Sequence, residues 1–208
     1  MKIANRYNHL NGYEYLLVNK PNQLQEIENA ILSIDANHYV KPSKEKTRAG
    51  RLLYDQKLLN KEFEKHLFAQ QWSELRVSYY VTNDIETARE ISTIKNAIEQ
   101  KNRIDELGHQ AFKTYNQVDF VKDRVAVEVQ FGKYFSVAYD LHVKHTFFFL
   151  RNDIDVGIEI IPTHRMMRRM DSGISWFENE VANVIREGRS NPTVPIVIYG
   201  IEPDEILI

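Results

Sequence analysis

The segment DRVAVEVQF, residues 123–131, restricts the fold more than any other part of the sequence, because apolar and polar or small residues alternate along it. Such alternation is typical of a β-strand, in which successive side chains point to opposite faces of the sheet. The predicted strand has one apolar face to bury and a second face that bears a carboxylate and an amide. The apolar face carries Val125, Val127, Val129 and Phe131, and the other carries Ala126, Glu128 and Gln130.

The second half of the chain alternates between strand-like and helix-like segments. Residues 154–162 (IDVGIEIIP) and 194–201 (VPIVIYGI) are nearly continuous apolar runs and predict buried strands. Residues 136–150 and 175–187 predict helices, one before each of these strands. This order predicts an α/β fold with a central mixed β-sheet flanked by helices.

The first half of the chain carries helical periodicity over residues 22–34 and 56–70. The polar and basic segment between them contains a proline and predicts a loop. Residues 74–82 alternate and predict a strand. Asp84 is expected to cap a following helix, and a second helical stretch is predicted for residues 99–112.

The composition bounds the class of protein. The chain has 208 residues, the length of one domain, and no repeat or linker divides it, so we predict a single domain over residues 1–208. Its net charge of −2 argues against a general nucleic-acid coat protein, which would be basic. A site-specific enzyme meets no such objection, because its positive charge can be confined to one cleft.

The sequence also indicates the cellular compartment in which the protein is expected to work. It contains no cysteine, which excludes disulfides and thiolate chemistry and fits a reducing cytoplasm. The first residues lack the apolar core of a signal peptide, and no apolar run is long enough to cross a bilayer. We therefore expect a cytoplasmic protein with no membrane partner. The absence of a glycine-rich phosphate-binding loop predicts that no nucleotide cofactor is needed.

Two acidic residues form the candidate chemical centre. Asp119 precedes Glu128 by nine positions, and a chain reversal near Asp119 would bring its carboxylate beside the 123–131 strand. Two close carboxylates can hold a hard divalent cation such as Mg²⁺. A cation held in this way promotes phosphodiester hydrolysis by polarising the phosphate and stabilising the leaving oxygen.

The pattern Asp-x8-Glu-x-Gln, formed by Asp119, Glu128 and Gln130, resembles the PD-(D/E)XK nuclease core in the variant where Gln replaces Lys or Glu. The segments TYNQVDFVKDRVAVEVQFGKY, VAYDLHVKH and DSGIS, with the opening YNHLNGYEYL, are similar to type II restriction endonucleases of the BglII/BstYI family. The similarity extends along nearly the whole chain. It implies the restriction-endonuclease core fold and a homodimer that binds double-stranded DNA.

The resemblance also implies the reaction. The expected activity is Mg²⁺-dependent hydrolysis at a six-base palindrome centred on GATC, giving 5′-phosphates on four-base 5′ overhangs. The resemblance does not determine the identity of the outer base pair of this site. Two alternatives remain, namely a PD-(D/E)XK nuclease with a repair or structure-specific role, and a catalytically inactive, sequence-specific DNA-binding protein.

Residue roles follow from the same resemblance. Asp119 and Glu128 correspond to the acidic metal ligands, and the main-chain carbonyl of Val129 to a third ligand. Gln130 lies where the attacking water is expected, but an amide does not titrate and cannot be the general base. A further polar residue is expected from the helix before Asp119, and its candidates are Asp105, His109 and Asn116.

Contacts to DNA and to a second subunit are also implied. The helix at 136–150 is expected to help build the dimer interface, which a palindromic site requires to be two-fold symmetric. His142 and His145 have a spacing that can bind zinc, but nothing completes a zinc site, so we expect them at the surface or the interface. Predicted base contacts are Lys133, Asp171, Ser172 and Gly173, and predicted phosphate contacts are Lys44, Lys46 and Arg48.

Overall fold

The structure is a computed structural model that describes residues 1–206 and contains eight strands within that range. Six of the strands form one sheet, and the other two, which are three residues long each, form a small antiparallel sheet. The strands are β1 (Lys2–His9), β2 (Val40–Pro42), β3 (Leu52–Tyr54), β4 (Ser73–Val81), β5 (Phe112–Lys122), β6 (Val125–Val129), β7 (Val156–Pro162) and β8 (Ile196–Glu202).

The large sheet has the strand order β1-β8-β7-β6-β5-β4. Its pairings β6–β7 and β7–β8 are parallel, whereas β1–β8 and β5–β6 are antiparallel. The sheet is therefore mixed, and the predicted fold class is confirmed. The parallel strands β7 and β8 are buried along their whole length, which explains why the sequence shows apolar runs there rather than simple alternation.

Helices connect the strands. A continuous helical stretch from Tyr134 to Leu150 contains a π-helical segment, Asp140–His145, between two short α-helices. Two 3-10 turns lie at Ala36–His38 and Lys46–Arg48. The α-helices are α1 (Gly12–Asn19), α2 (Pro21–Ser33), α3 (Gln56–Ala69), α4 (Ile85–Ile91), α5 (Ala97–Glu106), α6 (Tyr134–Tyr139), α7 (Thr146–Leu150), α8 (His164–Met167) and α9 (Phe177–Glu187).

Each face of the sheet has its own apolar core. On one face, side chains of α1, α2 and α3 pack against Val127, Val129 and their neighbours on β7 and β8. On the other face, Val137, Leu141 and residues of α9 pack against β8. Alternation along β6 thus places its valines in the first core and turns Glu128 toward the face covered by the 134–150 helix.

The chain divides into two compact units. The first consists of residues 1–74 and the chain from Val118 onward, and it contains β6, β7 and β8 with the two cores. The second, Leu75–Gln117, contains most of β4, the first residues of β5, and the helices α4 and α5. In the second unit Asp84 caps α4 by accepting a hydrogen bond from the Thr87 amide, as predicted.

Some boundaries differ from the predictions. The helix predicted over residues 99–112 ends at Glu106, and Phe112 already begins β5. Gly108, with a φ of 77°, follows the helix and adopts the left-handed conformation that commonly terminates helices. The segment predicted as a loop, residues 37–51, contains β2, which pairs with β3 immediately after it. Along residues 1–206, no helix combines the length and apolar character needed to cross a membrane.

Candidate active site

A tight hairpin brings Asp119 beside Glu128. Strand β5 reverses into β6 through Asp123 and Arg124, which both adopt left-handed conformations with φ of 47° and 68°. In the antiparallel register Phe120 is opposite Val127. The next step of the ladder leads to Asp119 and Glu128, and their carboxyl groups lie within hydrogen-bonding reach of each other. The reversal expected from the sequence is present.

Glu128 is fully buried at the centre of this site. Burial raises the pKa of Glu128 well above its usual range, and the nearby carboxylates of Asp140 and Asp119 raise it further. Its Oε1 accepts a hydrogen bond from Lys144 Nζ at 3.0 Å. Its Oε2 has no hydrogen-bond partner anywhere in residues 1–206. Two adjacent carboxylates, one with an unpartnered buried oxygen, need a proton or a cation between them.

Gln130 is held at both ends of its amide. Its Oε1 accepts from the Gly132 amide at 2.8 Å, and its Nε2 donates to Asp140 Oδ2 at 2.8 Å. A Cβ on Gly132 would overlap Gln130 Oε1, so a larger residue here would displace the Gln130 amide from this position. Gln130 therefore shares the predicted face with Glu128 and has a defined orientation.

Asp140 and Lys144, in the π-helical segment, complete the cluster and were missed in the sequence. Lys144 Nζ lies 2.8 Å from Asp140 Oδ1 and 3.0 Å from Glu128 Oε1. Burial lowers the pKa of Lys144, but the two carboxylates outweigh burial and raise it overall. Burial also raises the pKa of Asp140, against the opposing effect of Lys144. A carboxylate and an amine four residues apart on a largely apolar helix were the available signal.

Glu159 and His145 form a second buried pair next to the cluster. Glu159 is paired with Glu128 across the parallel β6–β7 register. His145 Nε2 lies 3.4 Å from Glu159 Oε2, and both side chains are fully buried. His145 thus lies in the protein interior, and its predicted place at the surface or an interface is wrong; the imidazole packs over Gly157, where any larger residue would collide with it. His142 contacts Glu187 at 3.2 Å.

Asp119 also lines a small cavity of about 190 Å³. Two further acidic residues, Glu64 and Glu74, line the same cavity, together with Val129. Neither glutamate was singled out in the sequence, because only tertiary packing brings these positions to the cavity that Asp119 lines. The cavity joins Asp119 to Val129, the two residues predicted to bind a metal beside Glu128.

The donor set fits a hard divalent cation. Asp119 and Glu128 offer carboxylate oxygens, the ligands that Mg²⁺ prefers, and the Oε2 of Glu128 is available for such a contact. Among residues 1–206, no group of three or more His, Cys, Asp or Glu side chains could hold a metal ion on its own. The remaining ligands would come from a main-chain carbonyl, water or the substrate, which is common for Mg²⁺.

A protein-family model decides the family. The model described as Restriction endonuclease BglII/BglIII matches residues 4–201. The chain belongs to this family. It is therefore a restriction endonuclease, an enzyme that hydrolyses DNA.

Solved structures share the fold of the endonuclease. Restriction endonuclease BglII complexed with a DNA 16-mer is 20% identical, with a TM-score of 0.68, and the match covers 98% of this chain and 78% of that one. Free BglII is 18% identical, with a TM-score of 0.59, and the match covers 96% and 79%. No curated protein sequence matches the chain.

The endonuclease brings the predicted base-contacting residues together. Lys133 forms an isolated β-bridge with Ile174, and the Tyr134 amide donates to the Gly173 carbonyl at 2.8 Å. Lys133 is exposed and immediately precedes α6. Two segments that are about forty positions apart in sequence thus form one surface at the end of β6.

The loop at residues 171–173 makes polar contacts with β2 and with the basic segment that follows it. Asp171 forms an ion pair with Lys41 at 2.7 Å, and the Ser172 amide donates to Glu45 Oε1 at 2.8 Å. This amide and Arg48 lower the pKa of Glu45 to about 2, so its carboxylate stays ionised at neutral pH. Arg48 donates to Glu45 and to the Met170 carbonyl, which gives it a structural role in addition to any DNA contact.

Two basic segments of the chain line one cavity of about 890 Å³. Five arginines line it, from both the segment after β2 and the segment around α8. Lys44 and Lys46 are exposed on the first of these segments. The arginines are Arg48, Arg51, Arg165, Arg168 and Arg169, and Asp171, Ser172 and Gly173 lie on the same wall.

The candidates for the additional polar residue lie in the second unit. Asp105, on α5, forms an ion pair with Lys101, and His109 lies 3.8 Å from Asp84. Asn116 is buried and belongs to β5 rather than to a helix. Only Asp105 is therefore on the helix before Asp119, and the choice among the three stays open.

Proposed function

We propose that this restriction endonuclease is a Mg²⁺-dependent homodimer that cuts a six-base DNA palindrome centred on GATC. Cleavage leaves 5′-phosphates on four-base 5′ overhangs. The observation that carries the proposal is the pair Asp119 and Glu128, side by side on antiparallel strands with Gln130 two residues further on. We further propose that both compact units act as one endonuclease domain in the cytoplasm, because the family model extends through both.

Asp119, Glu128 and the Val129 carbonyl would hold Mg²⁺. When bound, the ion would neutralise charge on the scissile phosphate and on the leaving oxygen. The unpartnered Oε2 of Glu128 and the neighbouring carboxylate of Asp119 support this assignment. Mutual repulsion of the two carboxylates is relieved when a cation lies between them.

Gln130 would orient the attacking water. One Nε2–H and one lone pair of Oε1 are committed to Asp140 and Gly132, which leaves one donor and one acceptor site for the water. The amide cannot take the proton of that water. The proton must pass to solvent or to a phosphate oxygen, so the role of Gln130 is alignment for in-line attack.

Lys133 and the loop at Asp171, Ser172 and Gly173 would read bases. Their shared surface supports this, since Lys133 bridges to the residue that follows the loop. Lysine donates to guanine edges, and aspartate or serine can pair with other base edges in the major groove. The arginine-lined cavity and the exposed Lys44 and Lys46 would bind phosphates, which fixes register on the duplex without reading sequence.

A homodimer would read the two halves of the palindrome. The 134–150 helix leaves Tyr134, Phe135, Tyr139 and Leu150 exposed at 65%, 58%, 45% and 71%. Large apolar side chains exposed on one helix mark an association surface. A dimer by sedimentation, lost in Phe135→Asp, would agree with this interface, and a monomer at all concentrations would refute the dimer.

A digest tests the function. Purified protein is incubated with long unmethylated duplex DNA, with Mg²⁺ or with EDTA, and the fragment ends are sequenced; Glu128→Gln serves as the matched control. Discrete Mg²⁺-dependent fragments with GATC in the overhang are expected. Cutting at every sequence, or of branched DNA alone, would favour a repair or structure-specific nuclease. Specific binding without cutting would favour an inactive DNA-binding protein.

A further inference from the structure

We propose that Asp140 and Lys144, from the π-helical segment, are positioning residues that hold Gln130 and Glu128 in their reactive arrangement. The inference rests on the proposed function, in which Glu128 and Gln130 act at the scissile phosphate. The observation behind it is that Asp140 and Lys144 contact both residues directly, from a different part of the chain.

Asp140 and the Gly132 amide together fix which way the Gln130 amide faces. The Gly132 amide can only donate, so the Gln130 atom that faces it must be the oxygen. The nitrogen of the same amide then faces Asp140, whose Oδ2 accepts its hydrogen bond at 2.8 Å. Reversal of the amide would set two donors against each other at Gly132 and two acceptors against each other at Asp140. The orientation of Gln130 is therefore unique.

Lys144 decides which oxygen of Glu128 is available. Its ammonium group lies 3.0 Å from Glu128 Oε1 and 2.8 Å from Asp140 Oδ1, with 18% of its side chain exposed. A charge-assisted hydrogen bond is strong, so a contact of this kind to one carboxylate oxygen restricts rotation of the carboxyl group. The other oxygen, Oε2, has no hydrogen-bond partner within residues 1–206, and the Asp119 carboxyl group is adjacent to that of Glu128. Lys144 thereby presents Glu128 for contact with a cation.

The Lys144 ammonium group connects Glu128 to Asp140, which in turn holds Gln130. Glu128, Lys144, Asp140 and Gln130 form an unbroken chain of polar contacts that begins on β6 and ends at the residue just after it. Burying this many charged groups brings little net stability, because desolvation offsets much of the attraction. A network of this kind is therefore better explained by the geometry that it imposes than by the stability of the fold. π-Helical turns are rare, and they occur frequently at functional sites.

The test compares Lys144→Met with Lys144→Arg, and Asp140→Leu with Asp140→Asn. Each conservative variant keeps a partner that its counterpart lacks, namely a cation at 144 or an acceptor for Gln130 at 140. Single-turnover cleavage is measured with Mg²⁺, and DNA affinity is measured in EDTA. We expect Lys144→Met and Asp140→Leu to cleave about 10- to 100-fold more slowly, the loss typical of residues that orient ligands. DNA affinity should be unchanged, and the Arg and Asn variants should recover part of the rate.

An NMR measurement reports on the orientation of the Gln130 side-chain amide. The side-chain amide signals of Gln130 in a ¹⁵N-labelled sample, identified by their loss in Gln130→Glu, should shift in Asp140→Leu and stay near their wild-type positions in Asp140→Asn. Lys122→Met is the matched control, because Lys122 is another largely buried lysine, paired with Glu26 at 2.7 Å. This control should lower thermal stability without changing the cleavage rate of the folded protein. If Lys144→Met does not fold, Lys144→Gln replaces it.

The outcomes separate this inference from the proposed function. Wild-type rates in Lys144→Met or Lys144→Gln and in Asp140→Leu, with Glu128→Gln inactive, would overturn the positioning role alone. A parallel loss of rate, DNA affinity and thermal stability, without recovery in Lys144→Arg, would also overturn it and indicate a structural role. Normal cleavage by Glu128→Gln would instead refute the active site itself.

Discussion

The imidazole of His145 lies 3.4 Å from the carboxylate of Glu159, in a position where neither side chain is exposed. Burial and the nearby Lys144 lower the pKa of His145 to about 3. Burial and the carboxylates of Asp140 and Glu128 raise the pKa of Glu159 well above its usual range. The histidine is therefore neutral at neutral pH, and the pair is not an ordinary ion pair.

We expect His145 to make the folded state less stable as the pH falls below about 6.5. An unfolded histidine takes up a proton near this pH, whereas buried His145 does so only near 3. Between these values the unfolded state binds more protons, so the free energy of unfolding falls by about 1.4 kcal/mol per pH unit. Urea unfolding of the wild type and of His145→Gln between pH 5 and 7 measures this slope.

The comparison with the variant is essential because Glu159 acts in the opposite direction. Its folded pKa is raised, so the folded state binds more protons than the unfolded state, and this contribution favours folding as the pH falls. The difference in slope between wild type and His145→Gln isolates the histidine. Identical slopes would contradict the assignment.

Gly157→Ala should destabilise the protein. A Cβ at this position would lie 2.7 Å from His145 Nδ1, well inside van der Waals contact. Overpacking of this kind costs about 1–3 kcal/mol. Thermal or urea unfolding measures the loss, and the double variant with His145→Ala tests its origin. The loss from Gly157→Ala should shrink when the imidazole is absent, and strict additivity of the two changes would point to a different cause.

Asp119→Asn should abolish cleavage without weakening specific DNA binding. The change removes a proposed metal ligand and one negative charge, so binding to a polyanion should be unchanged or tighter. We expect cleavage to fall by more than about 100-fold, since loss of a ligand exceeds the effect of losing its outer partners. Cleavage kinetics and a gel-shift titration in EDTA measure both effects. Glu62→Gln, which changes an acid outside the site, should cut normally.

Lys133→Ala should reduce binding to the recognition site more than binding to unrelated DNA. A good base contact is worth about 1–3 kcal/mol, which corresponds to about 10- to 100-fold in affinity for the site. Lys61→Ala, on the exposed side of α3, removes the same charge elsewhere and should have little effect. Competition binding with cognate and scrambled duplexes measures the ratio. An equal loss on both duplexes would make Lys133 a phosphate contact.

Much of the fold and part of the site followed from the sequence. The alternation of β6 put Glu128 and Gln130 on one face, since a strand has a fixed period of two. The position of Asp119 followed once the chain was assumed to reverse nearby, and the Asp123–Arg124 hairpin provides that reversal. These inferences needed only local geometry and one turn.

The remaining site residues depend on tertiary packing. Asp140 and Lys144 reach Glu128 only because the 134–150 helix covers that face of the sheet, and helical periodicity does not specify which strand a helix will cover. Glu159 had a visible signal, since it is the one charged residue within the strand VGIEIIP. Its position beside Glu128 could not be inferred, because the β6–β7 register that brings the two residues together joins segments far apart in sequence.

The π-helical segment determines what loss of one residue would do to the 134–150 helix. Its hydrogen bonds run from residue i to residue i+5, so its turn holds one residue more than an α-helical turn. Removing one codon between Asp140 and Lys144 would therefore let the helix rewind as regular α-helix while the flanking turns keep nearly their present directions. The separation of Asp140 and Lys144 would change from four positions to three. Such a deletion should spare the fold and the exposed surface of the helix, and should act on the contacts to Gln130 and Glu128.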